Sequence, residues 1–257
     1  MKSELFNLKN KVIAITGGYG YLGSAITLGL ANCNATIVVL GKNVEKFNKA
    51  FKELHLKNIH FKEFDITDLI SIKSGFEGII RKFGKIDILI NNAFAPAKNE
   101  DLSKEWKANI EGTLISTQNC IQEILPHFLD NHSGKIINVT SMYGMVAPTF
   151  EVYKGCEQYT NPSYYGAAKA AIIQLTKYYA SLYGKDNILV NTVSPGPFPN
   201  KTVQENVLFI ENLKSKTAVK RIGEPDDLQG VFVFLCSNSS NFITGQNIVV
   251  DGGWTIM

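Results

Sequence analysis

Tyr165 and Lys169 stand four residues apart in a stretch with helical spacing, which puts them on one helix face. A free phenol ionises near pH ~10, so a tyrosine that exchanges protons near neutrality needs its phenolate stabilised by about three units, or about 4 kcal/mol. An ammonium held alongside supplies part of this. Far upstream, Thr16-Gly17-Gly18-Tyr19-Gly20-Tyr21-Leu22-Gly23 contains G-x-G-x-x-G at Gly18, Gly20 and Gly23. It sits between a predicted strand and a predicted helix, where glycines let the backbone approach a pyrophosphate and helix N–H groups face the anion. A plain glycine turn is the bland alternative. The next strand ends Leu40-Gly41-Lys42-Asn43, without the acid that would hold the adenosine ribose hydroxyls of NAD. Lys42 could pair with the 2′-phosphate of NADP, or be a solvated residue at a helix start, and the expectation is NADP(H) over NAD(H). Asp65, after the third strand, could accept from an adenine amino group or cap the following helix, although Thr67 or Asp68 suits capping better.

The elements that must position these residues alternate from end to end. Predicted strands are Lys11–Thr16, Ala35–Leu40, Ile59–Phe64, Ile86–Ile90, Lys135–Thr140, Ile188–Val193 and Asn247–Val250. Predicted helices are Tyr21–Ala31, Val44–Leu54, Leu69–Phe83, Trp106–Leu129, Ser163–Tyr183 and Leu228–Leu235. The strands are apolar runs rather than alternating ones, as in a sheet buried on both faces. The expected fold is a doubly wound α/β Rossmann domain over residues 1–257, with a seven-stranded parallel sheet and helices on both faces. Ligands of such sheets bind beyond the carboxyl ends of the strands, where the residues above fall.

Composition narrows the function. Apolar residues make up 45% of the 257, and the net charge of +3 is spread. Lys49, Lys52, Lys57 and Lys62 come closest to a cluster, but acids interrupt them, so no nucleic-acid partner is expected. No apolar run approaches the roughly 18 residues of a membrane helix, and no signal peptide is visible. The four cysteines form no C-x-x-C pair, and the four histidines form no ligand motif. A cytoplasmic protein with reduced thiols, no metal and a small-molecule substrate is expected.

The ordered motifs resemble the short-chain dehydrogenase/reductase family in its compact single-domain branch. They are the Thr16–Gly23 turn, Asp65-Ile66-Thr67, Asn91-Asn92-Ala93, Asn109-Ile110-Glu111-Gly112, Ser141 with Gly144, Tyr165 with Lys169, Ser194-Pro195-Gly196-Pro197, and Val250-Asp251-Gly252-Gly253-Trp254. The resemblance implies an oxidoreductase acting on CH–OH groups, with Asn109, Ser141, Tyr165 and Lys169 as its catalytic set. Tyr165 would be the general acid in reduction and the base in oxidation. Lys169 would tune it and bind the nicotinamide ribose. Ser141 would polarise the substrate oxygen, and Asn109 would anchor a water linking Lys169 to solvent. Cofactor contacts implied or read directly are Gly17, Gly18, Tyr19, Gly20, Tyr21, Leu22, Gly23, Lys42, Asp65, Ile66, Asn91, Ala93, Tyr165, Lys169, Pro195, Gly196 and Phe198. Relatives pair through the two long helices, so a homodimer or homotetramer is expected.

Departures from the family pattern are informative. Phe94 replaces the glycine of N-N-A-G, and Asn200 stands where many relatives place a threonine that touches the carboxamide, with Thr202 as a substitute. The stretch from Ser141 to Tyr165 is longer than most of the compact branch uses. Its 145–162 segment, with Tyr153, Lys154, Glu157 and Tyr159, is expected to join 197–224 in forming the substrate pocket; a structural or oligomer-contact loop is the alternative. It is similar to an insert of PtmA-like bacterial oxidoreductases of surface-polysaccharide and flagellin glycosylation. Rival readings are a sugar-nucleotide epimerase or dehydratase, which the glycine spacing favours, and a catalytically silent dinucleotide-binding regulator. An enoyl reductase would need its tyrosine and lysine more than four apart.

Overall fold

The computed structural model describes residues 5–54, 56–98 and 100–257. Seven parallel strands form one sheet in the order β3-β2-β1-β4-β5-β6-β7. They are β1 (Val12–Thr16), β2 (Thr36–Gly41), β3 (Ile59–Glu63), β4 (Ile88–Asn91), β5 (Gly134–Val139), β6 (Ile188–Pro195) and β7 (Asn247–Val250). The order reverses between β1 and β4, which opens a crevice beyond their carboxyl ends. Strands β1, β4 and β6 are buried along their whole length, because helices cover both faces.

Helices α1 (Tyr21–Asn32) and α2 (Val44–Phe51) pack on one face with α9 (Gln229–Cys236), around Ile15, Ile26, Val39 and Phe232. The other face carries α3 (Leu69–Phe83), α5 (Ser116–Asp130) and α6 (Ser163–Tyr183), around Val38, Phe76, Ile124 and Tyr179. Helix α3 shows how the sequence sets such an element. Ile72, Gly75, Phe76 and Ile79 recur at helical spacing and are buried. The Asp68 carboxylate accepts from Ile70 N at its start, and Gly84 ends it at φ 80°, a conformation that favours glycine.

Two regions differ from the sequence expectation. The single helix expected over Trp106–Leu129 begins earlier, as α4 (Leu102–Ile110), because Asp101 caps it by accepting from Ser103 N and Lys104 N. A π-helical turn over Glu111–Ile115 then separates α4 from α5. Expected only as loop, 197–224 contains α7 (Lys201–Gln204) and α8 (Val207–Lys216). The 145–162 segment folds against α8 in a third core of Tyr143, Val152, Tyr153, Cys156, Phe209 and Leu213. Among the described residues no helix is long and apolar enough to cross a membrane.

Candidate active site

One cavity of about 550 Å³ follows the carboxyl edge of the sheet across the β1–β4 reversal. Lys42, Asp65 and Ile66 line one end, and Ser141, Tyr165 and Lys169 line the other. Between them lie Gly17, Tyr19, Gly20, Tyr21, Leu22 and Gly23, with Ala93, Pro195, Gly196 and Phe198 opposite.

The glycine-rich turn is shaped for close approach. Gly17 adopts φ 63°, and a Cβ at Gly23 would drive into the Gly17 carbonyl oxygen. Helix α1 starts at Gly20 with no side-chain cap and no acid in its first turn, so its first N–H groups face the cavity without a competing carboxylate. These features fit the pyrophosphate of a dinucleotide. Gly18 lies off the lining: a Cβ there would meet Ile15 and Thr27, whose hydroxyl donates to the Gly18 carbonyl at 2.9 Å. It serves strand–helix packing instead.

At the first of these ends Lys42 Nζ lies 3.1 Å from Asp65 Oδ2. Asp65 Oδ1 accepts from Thr67 N at 2.9 Å and Thr67 Oγ1 at 2.7 Å. Burial pushes the Asp65 carboxyl up, but the Thr67 bonds and Lys42 outweigh this and leave it below the usual carboxylate range. Asp68, not Asp65, caps α3. The Tyr19 ring covers Gly41, and its hydroxyl accepts from Asn43 N at 3.3 Å.

At the other end, Lys169 is buried and its Nζ donates to Val139 O at 2.9 Å. Burial lowers its pKa to about 8. That ammonium lies 5.9 Å from the centre of the Tyr165 ring. The Tyr165 phenol does not show the downward shift that the Tyr-x-x-x-Lys spacing suggests. Burial pushes it above its ordinary value, the Ser141 hydroxyl draws it down by hydrogen bonding, and Tyr153 pushes it up again. Ser141 also accepts from Tyr143 N at 3.2 Å, so it doubles as a cap of the turn after β5. Phe94 packs edge-on against Tyr165, with centroids 5.7 Å apart.

Besides Gly18, two more expected site residues fall elsewhere. Asn109 lies off the lining and its side chain is spent. Its Nδ2 donates to Ala97 O at 2.6 Å and Glu105 O at 2.8 Å, and its Oδ1 accepts from Ala97 N at 3.1 Å. It fastens the loop after β4 to α4, with both amide N–H donors used. Asn91 is buried beneath the cavity, where its Nδ2 donates to Asn138 Oδ1 at 2.9 Å. Sequence reasoning missed its neighbour. Asn92 lines the cavity and donates from Nδ2 to Thr16 O at 3.0 Å and Gly17 O at 3.1 Å, tying the end of β4 to the glycine turn. A strand side chain alternates faces, so of two adjacent asparagines at a strand end only one can point into the crevice.

A smaller cavity of about 220 Å³ adjoins Ser141 and Tyr165. Tyr153 and Tyr159 of the 145–162 segment line it, together with Phe198, Val203 and Phe209 of 197–224. Lys154 and Glu157 do not: both are exposed, and Glu157 accepts from Gly155 N. Asn200 caps α7 by accepting from Val203 N, and neither it nor exposed Thr202 lines either cavity.

Known proteins are similar to this chain over nearly its whole length. A family model described as enoyl-(acyl carrier protein) reductase matches residues 21–255. The 7alpha-hydroxysteroid dehydrogenase of Bacteroides fragilis is 32% identical, covering 96% of this chain and 95% of that protein. The 2-dehydro-3-deoxy-D-gluconate 5-dehydrogenase of Dickeya dadantii is also 32% identical, covering 97% of each. The crystal structure of a gluconate 5-dehydrogenase from Burkholderia cenocepacia, in complex with NADP and tartrate, superposes with a TM-score of 0.88 at 27% identity, covering 100% of both chains. A short-chain dehydrogenase from Leptospira borgpetersenii with bound NAD+ gives 0.85 at 30% identity, covering 97% of this chain and 94% of that one. With fold, cavity and ordered motifs in agreement, the chain belongs to the short-chain dehydrogenase/reductase family of oxidoreductases.

Proposed function

We propose that this protein interconverts a secondary alcohol and a ketone on a small, sugar-like substrate, with NADP(H) favoured over NAD(H). One observation carries the reading: Ser141, Tyr165 and Lys169 share the wall of a single cavity whose middle is the glycine turn at the start of α1. Named relatives acting on gluconate and its keto derivatives support the sugar-like class. Lys42 at the adenosine end, with no acid at the end of β2, supports NADP(H).

A nicotinamide dinucleotide bound here supplies or accepts the hydride. The protein's own groups handle the oxygen and its proton. In reduction, Tyr165 gives its proton to the carbonyl oxygen as negative charge develops there, and in oxidation it takes that proton back. Ser141 donates a hydrogen bond to the same oxygen and holds it beside the phenol. Lys169 keeps a cation near Tyr165 and so favours the phenolate that remains after proton transfer.

The whole chain then acts as one dinucleotide-binding unit, with 145–162 and 197–224 enclosing the substrate. We place it in surface-polysaccharide or flagellin glycosylation on the strength of the insert's resemblance alone. Homo-oligomerisation belongs to the same reading, since Trp106, Ile115, Tyr178 and Leu182 stay exposed on α4, the π-turn and α6; light scattering showing only monomer would refute it. The central test is fluorescence titration with NADPH and NADH, alongside turnover by Tyr165→Phe. NADPH is expected to bind more tightly, and the variant should keep cofactor binding while kcat falls about 10²–10⁴-fold. A variant with undiminished turnover would exclude Tyr165 as the proton donor.

A further inference from the structure

The 220 Å³ cavity beside Ser141 and Tyr165 has a wall chemistry that selects among substrates. Tyr143 and Tyr153 are both buried, and their hydroxyls lie 2.6 Å apart. Asn161 Nδ2 donates to the Tyr153 oxygen at 3.3 Å. Two phenols carry two O–H protons, and their mutual bond uses one. The other is left to donate to a ligand. Tyr159 and Phe209 stack at 4.7 Å beside this pair and present apolar faces. Among the described residues, no lysine, arginine, histidine, aspartate or glutamate lines this cavity. Lys169 lines the larger cavity, not this one, and gives one of its three N–H donors to Val139 O.

Resting on the oxidoreductase reading above, we propose that this cavity is the substrate subsite and takes an uncharged polyhydroxylated compound, gripped by the Tyr143–Tyr153 pair and Asn161, in preference to a sugar acid. A carboxylate placed here would lose its hydration without gaining a cation, whereas a hydroxyl meets a donor, an acceptor and an aromatic floor. The volume lies below the roughly 300–1,000 Å³ of drug-sized ligand sites, which suits a single small ring or open chain. Charge therefore separates this chain from its relatives named for gluconate.

The test uses a matched pair: 5-keto-D-gluconate, and L-sorbose, in which a hydroxymethyl group stands in place of the carboxylate. In reduction, two electrons pass as hydride from NADPH to the carbonyl carbon and the Tyr165 proton goes to its oxygen, leaving NADP+ and the alcohol. Wild-type protein saturated with NADPH is expected to show at least tenfold higher kcat/KM on L-sorbose. Tyr153→Phe should raise KM for L-sorbose about tenfold, and Val203→Arg should move preference toward the acid. Preference of the wild type for 5-keto-D-gluconate overturns the subsite and leaves the redox reading standing, because turnover has been seen. Absence of turnover on both compounds, with NADPH bound, counts against the redox reading. Calorimetry on the same complexes then decides the subsite separately: L-sorbose binding weakened by Tyr153→Phe supports it, and no binding overturns it.

Discussion

Lys169 makes the residue-scale problem concrete, because a buried ammonium must do two things at once. Its bond to Val139 O fixes its place, and its burial brings its pKa to about 8. Below that value the group is charged and, in the function proposed above, supports the Tyr165 phenolate. Above it, the charge and one N–H donor are lost. Tyr165 itself is pushed up by burial, so its proton is retained across the same range. The limb of the pH profile near 8 therefore belongs to the lysine. The expected result is that kcat/KM for cofactor, which reports groups of the free protein, falls as pH rises through about 8. Lys169→Arg should move that limb to higher pH, since a guanidinium does not lose its proton there. A profile flat from pH 7 to 9.5 would show that the lysine charge is not used. The sequence made the Tyr165–Lys169 pair legible through spacing alone. It could not show that Lys169 spends a donor on β5, or that Asn109 is consumed by Ala97, because backbone partners leave no trace in side-chain spacing.

At the scale of elements, the start of α1 and the end of β4 act as one clamp. Thr16 Oγ1 accepts from Asn92 N and Ala93 N, both at 3.0 Å, and the Asn92 amide returns to the Thr16 and Gly17 carbonyls. Gly23 lets α1 pass close to that knot. Gly23→Ala would press a methyl group against the Gly17 carbonyl oxygen and the Asn92 amide, so the turn must open. Cofactor Kd is expected to rise at least tenfold in fluorescence titration, with far-ultraviolet circular dichroism unchanged; unaltered affinity would refute a tight cradle. Tyr21 extends the clamp, as Gln204 Nε2 donates to its hydroxyl at 3.1 Å and to Pro199 O at 2.8 Å, joining α1 to α7. Strands and long helices were readable from apolar periodicity. The π-turn was not, because its register follows from Gly112 admitting the Ala95 backbone rather than from the period of the side chains. Helix α8 did leave a signal: Asn206 as cap, then Phe209, Ile210 and Leu213 on a single face.

Across the whole molecule, two cores flank the sheet, while a third lies beside the smaller cavity. The third core shares none of its buried members with the other two. It joins segments far apart in sequence, 142–159 and 203–222, through aromatic contacts such as Tyr153–Phe209 at 5.6 Å. Its existence was only half legible: the length of the insert pointed to it, but its partner α8 lay in a stretch expected as loop. A unit packed on its own core can open without the sheet unfolding. Phe209 is buried at its centre, and truncating a buried phenylalanine to alanine costs about 3–5 kcal/mol. If the third core is a separate unit, Phe209→Ala spends that loss locally. Hydrogen exchange should then quicken in 150–160 and 207–213 while β1 and β6 stay protected. KM for the carbonyl substrate should rise severalfold, and NADPH affinity should stay within about twofold, because Phe209 lines the smaller cavity and not the larger one. Uniform loss of protection across the sheet would instead show one cooperative unit, in which substrate and cofactor sites cannot be loosened independently.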